Sequence, residues 1–212
     1  YDTVIFLAAR PNLKSLLEHP KDGFRTATLG LQNALKYYKD THFIYISSSM
    51  VYGNWTKETM SETDSPSPNN MYGTLKLLSE QIVKQYHDNY TIVRPSAVYG
   101  YGDDRKRVTQ LFLNKIKNDE PITLQGADNL FDFTHVDDVA QGLSLIVKKG
   151  AEKQTYNITR SEAHSLQTFT DLLYTKLNKI TNYTIKPLPE NYPKRGSLSI
   201  KKARTNLGYN PK

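Results

Sequence analysis

Short apolar runs and longer amphipathic segments alternate along the first half of the chain. Runs rich in β-branched and aromatic residues predict buried strands at residues 2–9, 42–46 and 89–93. Between them, apolar residues at helical spacing predict helices at residues 22–39 and 70–87. Because strands that alternate with helices form parallel sheets, this pattern predicts an α/β fold with a parallel sheet.

The second half of the chain also contains predicted strands and helices, but they alternate less regularly. Strands are predicted at residues 121–125, 155–159 and 183–188, and helices at 105–117, 136–148, 165–178 and 199–207. We expect residues 1–100 to form one domain, to which a helix at 136–149 returns. Residues 101–212 are expected to form mainly a smaller α+β domain.

Composition excludes several kinds of site. The 212 residues include no cysteine, which removes thiol nucleophiles, thiolate metal sites and disulfides. The five histidines show no ligand spacing, so no metal is predicted. There is no run of 18 apolar residues, and no basic strand interleaved with aromatic residues, so neither a membrane span nor a nucleic-acid partner is predicted. The net charge is +7. Some of the basic side chains that produce it either lie on solvent-exposed helix faces or bind a diphosphate.

One predicted helix carries a chemically coupled pair near its start, Tyr72 and Lys76. Residues four apart lie on the same face of a helix, so both side chains can point into one site. A phenol titrates near pH 10 in water. A fixed cation about 4 Å away, at an effective dielectric of about 20, favours the phenolate by about 4 kcal/mol. The pair therefore predicts a tyrosine that exchanges a proton near neutral pH.

Small hydroxyl residues follow the strand just upstream of this helix. Ser47, Ser48 and Ser49 come directly after the strand at 42–46, at the edge of the sheet where parallel α/β folds bind their ligands. The segment at 55–70, rich in Ser, Thr, Pro and acidic residues, predicts a loop over this site.

Four motifs in order resemble a known family. They are S-S-x-x-V-Y-G at residues 47–53, Y-G-x-x-K at 72–76, R-P-x-x-V-Y-G at 94–100 and D-F-x-H-V-D-D-V-A at 132–140. Together they resemble the NAD-dependent epimerase/dehydratase family, the extended short-chain dehydrogenases/reductases. The resemblance implies an incomplete Rossmann-type, doubly wound parallel sheet in the first domain and a substrate-binding subdomain in the second.

The resemblance also implies that the chain is an internal fragment. Residues 2–9 look like the family's fourth strand, and residues 207–211 look like its L-G-W/Y-x-P motif near the end. The Gly-rich turn for the dinucleotide pyrophosphate, and the residue that separates NAD from NADP, would then lie before residue 1. NAD is the expected cofactor, with NADP left open.

Roles for individual residues follow from the same resemblance. The implied catalytic residues are Ser48, Tyr72 and Lys76. The implied cofactor-binding residues are Ala8, Ala9, Arg10, Ser47, Tyr72, Lys76, Pro95 and Ser96. The implied substrate-binding residues are Ser48, Ser49, Arg94, Ala97, Arg105, Arg107 and Arg195.

Departures from the family pattern narrow the reaction. Dehydratases of the family carry Asp-Glu directly after the catalytic hydroxyl, where this chain has Ser49 and Met50, so dehydration is disfavoured. Decarboxylating relatives also have Glu at the Met50 position. Ala97 replaces a family Asn and Phe131 replaces a family Arg, and both family residues help to hold a diphosphate. Arginines elsewhere are expected to supply the missing charge.

Three functions follow as hypotheses. The first is an NAD(P)-dependent epimerase that oxidises a nucleotide sugar transiently to a keto intermediate. The second is a reductase of a keto-sugar or other carbonyl, and the third is a non-catalytic dinucleotide-binding protein. The resemblance further implies a homodimer, a cytoplasmic location and a role in polysaccharide biosynthesis.

Overall fold

A four-stranded parallel sheet forms the centre of the molecule. The computed structural model describes residues 2–9, 13–103, 107–190 and 192–212. The strands of this described chain are β1 Thr3–Phe6, β2 His42–Ile46, β3 Thr59–Met60, β4 Tyr90–Arg94, β5 Val98–Tyr99, β6 Ile122–Gln125, β7 Leu130–Asp132, β8 Thr134–His135, β9 Gln154–Asn157, β10 Ala163–Ser165, β11 Tyr183–Lys186 and β12 Ser197–Leu198. The central sheet has the order β1-β2-β4-β9, with all neighbours parallel.

The helices agree closely with the amphipathic pattern. They are α1 Leu13–Glu18, α2 Pro20–Arg25, α3 Leu31–Tyr37, α4 Met71–Tyr86, α5 Val108–Lys117, α6 Val136–Lys149, α7 Leu166–Lys176 and α8 Lys201–Leu207. The helix predicted at 22–39 is present as α2 and α3, joined by a π-helical turn over Thr26–Gly30. The sequence pattern did not predict α1 or the short strands β3, β5, β7, β8, β10 and β12.

The helices α3 and α4 cover one face of the sheet. Leu31 and Leu35 of α3 pack in one buried cluster with Phe43 of β2 and Val83 of α4. Ser79 Oγ on α4 also donates to Ala27 O in the π-helical turn at 3.1 Å. These contacts fix α4 along the sheet, with its N-terminus at the edge where β2 ends.

A second buried cluster brings parts of the C-terminal half to the central sheet. Ile146 of α6 and Leu207 of α8 pack with Ile44 of β2, Val93 of β4 and Tyr156 of β9. The return of the helix at 136–149 is thus accompanied by β9 and α8. Parts of residues 101–212 thus contribute to the core of the central sheet.

Those remaining segments have their own core. Phe112 and Ile116 of α5 pack with Leu124 of β6 and with Leu166 and Tyr174 of α7. The strand β6 pairs in parallel with β11 along the edge of this cluster. These elements form a small α+β body, and the division of the chain into two domains stays a prediction.

Asp132 ties the two bodies together. Its buried carboxylate accepts hydrogen bonds from Thr159 Oγ1 at 2.9 Å, from the Ser161 backbone N–H at 3.1 Å and from the Leu198 N–H at 3.1 Å. Three separate segments of the chain therefore meet at one side chain.

Among the described residues, no helix has the length and apolarity needed to cross a membrane.

Candidate active site

The serine run lies in a tight turn at the end of β2. Ser48 has extended backbone and caps a short 3-10 helix over Ser49–Tyr52, with its Oγ accepting from the Met50 N–H at 3.2 Å. The Ser49 N–H donates to Pro95 O at 2.9 Å, which holds the turn against the end of β4. The half-buried Ser48 is the most open of the three serines, because Ser47 and Ser49 are buried.

Helix α4 begins directly against this turn. Its N-cap Asn70 accepts from the Gly73 N–H through Oδ1 at 3.0 Å. A Cβ on Gly73 would lie 2.9 Å from Pro68 Cβ and nearer still to Met50 O, so only glycine permits this approach. The helix therefore brings Tyr72 and Lys76 to the turn that contains Ser48.

Lys76 is a buried cation beside two aromatic rings. Its Nζ donates to Ile46 O at 2.7 Å and lies 5.1 Å from the ring centroid of Tyr45 and 5.9 Å from that of Tyr72. Burial lowers the pKa of Lys76 to about 8, and the charge of Glu80 opposes that shift. The ammonium therefore loses its charge as the pH rises through about 8.

Tyr72 and Lys76 line one pocket. Of the predicted cofactor-binding residues, Ala8 and Ala9 line it too. The other lining residues are Phe6, Leu16, Gly23, Ala27, Tyr45, Leu75 and Ser79. The pocket contains no carboxylate among its described lining residues. Ser48, Pro95 and Ser96 are not among them and lie at the adjoining turn.

A buried polar network lies behind the pocket. Glu80 forms a two-point ion pair with Arg94, with Nε–Oε1 at 2.9 Å and Nη2–Oε2 at 2.6 Å. Arg94 also donates from Nη1 to the Tyr52 hydroxyl at 3.0 Å and is 3% exposed. The structure therefore does not bring the predicted substrate residue Arg94 to the pocket, because its guanidinium is held inside the fold.

Sequence reasoning missed Glu80 and Tyr52. A signal for Glu80 was present, because it lies four residues beyond Lys76 and eight beyond Tyr72, on the same helical face. A carboxylate on that face needs a buried partner. No sequence signal named the partner, since Arg94 lies on a different strand.

Arg195 approaches the serine turn from the C-terminal segment. Its Nη2 lies 2.7 Å from Met50 Sδ, and its Cζ lies 5.2 Å from the ring centroid of Phe131. Among the described residues it forms no ion pair with a carboxylate. Burial lowers the pKa of Arg195 to about 10, while Tyr192 and Tyr72 oppose the shift. A half-buried guanidinium near Tyr72, with no carboxylate partner among the described residues, is suited to bind an anion.

The other predicted substrate residues are spread around the same edge. Arg107 donates from Nη1 to Val98 O at 2.8 Å, next to Ala97. Ala97 has a φ of 35°, in the left-handed region that a side chain disfavours. The predicted residues Arg10 and Arg105 lie outside the described residues.

Comparison with known proteins places these features in a family. A sequence profile described as "NAD dependent epimerase/dehydratase family" matches residues 1–159. Protein CapI of Staphylococcus aureus is 27% identical over 205 residues, covering 84% of this chain and 61% of CapI. A dTDP-4-dehydro-6-deoxyglucose reductase of Escherichia coli is 28% identical, covering 78% of this chain and 54% of the reductase. The chain spans between 41% and 68% of the length of the first curated relatives that it matches.

Solved structures have the same fold. The UDP-glucuronic acid 4-epimerase of Bacillus cereus, in complex with UDP-glucuronic acid and NAD, has a TM-score of 0.90 and 27% identity, covering all of this chain and 70% of that one. MoeE5 in complex with UDP-glucuronic acid and NAD has a TM-score of 0.91 at 23% identity, covering 100% of this chain and 74% of that one. These likenesses confirm the Rossmann-type parallel fold predicted from the motifs.

Proposed function

The chain belongs to the NAD-dependent epimerase/dehydratase family, and from that premise we propose that its protein is an NAD(P)-dependent epimerase of a nucleotide sugar. The observation that carries the proposal is the pocket in which a buried lysine and a tyrosine of one helix lie beside a serine turn. This set can take one proton from a sugar hydroxyl and return it, and the described lining of the pocket supplies no carboxylate as a further acid or base.

The residues present fit a nicotinamide dinucleotide. Lys76 uses one of its three N–H donors on Ile46 O, which leaves donors for the hydroxyls of a ribose. Ala8 and Ala9, whose side chains are small, line the same pocket wall. When bound, the dinucleotide would accept hydride from the substrate carbon and return it. Tyr72 and Lys76 would hold its ribose.

Three residues would handle the proton at the reacting oxygen. We assign Tyr72 as the acid/base, because its helix faces the serine turn and a buried cation lies beside its ring. Ser48 would donate a hydrogen bond to the same oxygen, since its hydroxyl is the least enclosed of the three. Lys76 would favour the phenolate form of Tyr72 electrostatically.

The charge at the pocket edge favours a substrate with phosphate groups. Arg195 is the proposed anion-binding residue, with Arg107 nearby on the segment that contains Ala97. The family pattern has an arginine at the position of Phe131. Arg195 lies over the Phe131 ring, so a guanidinium is still present near that position. The names of the E. coli reductase, the B. cereus epimerase and the MoeE5 complex include nucleotide sugars, which supports this class of substrate.

Epimerisation is preferred to dehydration because the two positions after Ser48 cannot exchange protons. Ser49 is buried and Met50 contacts Arg195, and the described pocket wall has no carboxylate. Net reduction of a keto-sugar remains the second candidate. It is favoured by the match to the E. coli dTDP-4-dehydro-6-deoxyglucose reductase over 78% of this chain.

The test uses the whole protein, freshly purified. Denaturation should release tightly held NAD, because an epimerase regenerates its cofactor within each turnover, and a nucleotide sugar should be converted without net cofactor consumption. Consumption of NADH or NADPH with a keto-sugar would instead identify the reductase.

Tyr72→Phe tests both enzyme hypotheses together. Removal of the hydroxyl should lower kcat by about 10²–10⁴-fold, the usual contribution of a general acid/base, with little change in nucleotide-sugar affinity. Tyr101→Phe, at a fully exposed tyrosine, is the matched control and should retain wild-type kinetics. Undiminished turnover by Tyr72→Phe would exclude both reactions.

A further inference from the structure

Glu80 is a fully buried carboxylate whose two oxygens are both occupied. Oε1 accepts from Ser47 Oγ at 2.5 Å and from Arg94 Nε at 2.9 Å, and Oε2 accepts from Arg94 Nη2 at 2.6 Å. Ser47 is the residue directly before Ser48. Glu80 therefore joins the catalytic helix α4 to the end of β2 and the end of β4 at one point.

The network continues from Arg94 into the serine turn. Arg94 Nη1 donates to the Tyr52 hydroxyl at 3.0 Å, which in turn donates to Asn157 Oδ1 at 2.9 Å. Tyr52 ends the 3-10 turn that begins at Ser49. Both ends of the Ser48 turn are thereby fixed to the Glu80–Arg94 pair.

A buried ion pair is a poor source of net stability, because desolvation of the two charges offsets most of their attraction. The location of this pair suggests a different role. Glu80 lies one helical turn beyond Lys76 and exerts an attractive charge on its ammonium. The other titratable groups that face Lys76 are Tyr45 of β2 and Tyr72 of α4, and Arg94 of β4 stands on the far side of Glu80. Among these groups, Glu80 is the carboxylate.

We propose that Glu80 is a positioning residue for the proposed reaction, which fixes the Ser47–Ser48 end of β2 on helix α4 and keeps Lys76 charged at neutral pH. This inference rests on the proposed function for its catalytic meaning. The effect of Glu80 on the protonation of Lys76 can be measured without an assay of turnover.

The experiment compares Glu80→Gln with the wild type in the full-length protein. NMR titration of isotope-labelled lysine, with Lys76→Met to assign the signal, follows the protonation of Lys76. The pKa of about 8 in the wild type should fall by about one to two pH units, because an attractive unit charge one helical turn away is removed at an effective dielectric of about 20. The high-pH limb of turnover should move down by the same amount.

A double variant and a surface control separate this role from a structural one. Glu80→Gln with Arg94→Gln removes both charges and leaves no unpaired buried ion, so it should fold better than Glu80→Gln alone while Lys76 still titrates below the wild-type value. Glu120→Gln, at an exposed glutamate, should change neither property. Ser47→Ala, a small change that the fold should tolerate, should lower kcat with KM nearly unchanged.

An unaltered Lys76 titration in either folded Glu80 variant would overturn the electrostatic part of the proposal. Wild-type kcat in Ser47→Ala would overturn the positioning part. A protein that shows the Lys76 shift but turns over no nucleotide sugar would instead contradict the proposed function and leave the role of Glu80 in Lys76 protonation intact.

Discussion

At the scale of single residues, the arrangement around Arg195 differs from an ordinary surface arginine. Its guanidinium contacts a thioether and an aromatic face, and neither neutralises its charge. An anion should bind strongly to such a group, because folding has already removed part of the water around the guanidinium. Arg94, which the sequence assigns to the same role, already has its carboxylate in Glu80. Burial and partner, not residue type, distinguish the two arginines.

Replacement of Arg195 by Met should therefore weaken substrate binding. A hydrogen bond to a charged group is worth about 1.5–3 kcal/mol, so KM for a nucleotide sugar should rise by about 10- to 150-fold, with a smaller change in kcat. Steady-state kinetics measure both constants. Arg204→Met, at an exposed arginine of α8, is the matched control and should leave KM unchanged. An unchanged KM in Arg195→Met would remove Arg195 from the substrate site.

At the scale of elements, the meeting of α4 with the serine turn makes the site. The periodicity of residues 70–87 predicts the helix, and the spacing of Tyr72 and Lys76 places both on one face. The close approach of the helix to the turn depends on Gly73, whose significance the sequence alone does not reveal. The π-helical turn at Thr26–Gly30 belongs to the same level, because it lies against α4 and contributes Ala27 to the pocket wall.

Gly73→Ala should disrupt this junction. The added methyl group would press on the backbone of Met50 and on Pro68, which have little freedom to move. We expect the free energy of unfolding to fall by about 1–3 kcal/mol and turnover to fall by about tenfold or more, because α4 moves away from Ser48. Chemical denaturation and turnover assays measure the two effects. Gly30→Ala, where the new Cβ has an ordinary contact at 3.6 Å, should retain wild-type turnover; equal losses in both variants would refute this account of Gly73.

At the scale of the whole molecule, the two bodies are connected by more than chain continuity. The elements α6, β9 and α8 contribute to the core of the central sheet, and the strands β3 and β12 pair residues 59–60 with residues 197–198. Asp132 lies where these connections converge. The homodimer, the cytoplasmic location and the role in polysaccharide biosynthesis stay predictions.

Asp132→Asn should loosen this convergence. The amide has one acceptor oxygen where the carboxylate has two, so at least one of the N–H or O–H donors that now meet Asp132 loses its partner in a buried place. We expect the free energy of unfolding to fall by about 2–3 kcal/mol, measured by urea denaturation. Asp88→Asn, at the exposed ion pair with Lys153, should change it by less than about 1 kcal/mol. Equal stability of the two variants would show that Asp132 is not a structural connection.

The sequence by itself determined the fold class, the helix that carries Tyr72 and Lys76, and the family, because these depend on local periodicity and on motifs that are contiguous in the chain. The resemblance to the family also implied Ala8 and Ala9 as cofactor-binding residues, and both line the pocket that Tyr72 and Lys76 line. Only the tertiary structure decided which charges are neutralised and which are left for a ligand. Glu80 with Arg94, and Arg195 with Met50 and Phe131, are pairings across 14 residues or more of chain. Such contacts follow from packing in three dimensions, and no local pattern in the chain encodes them.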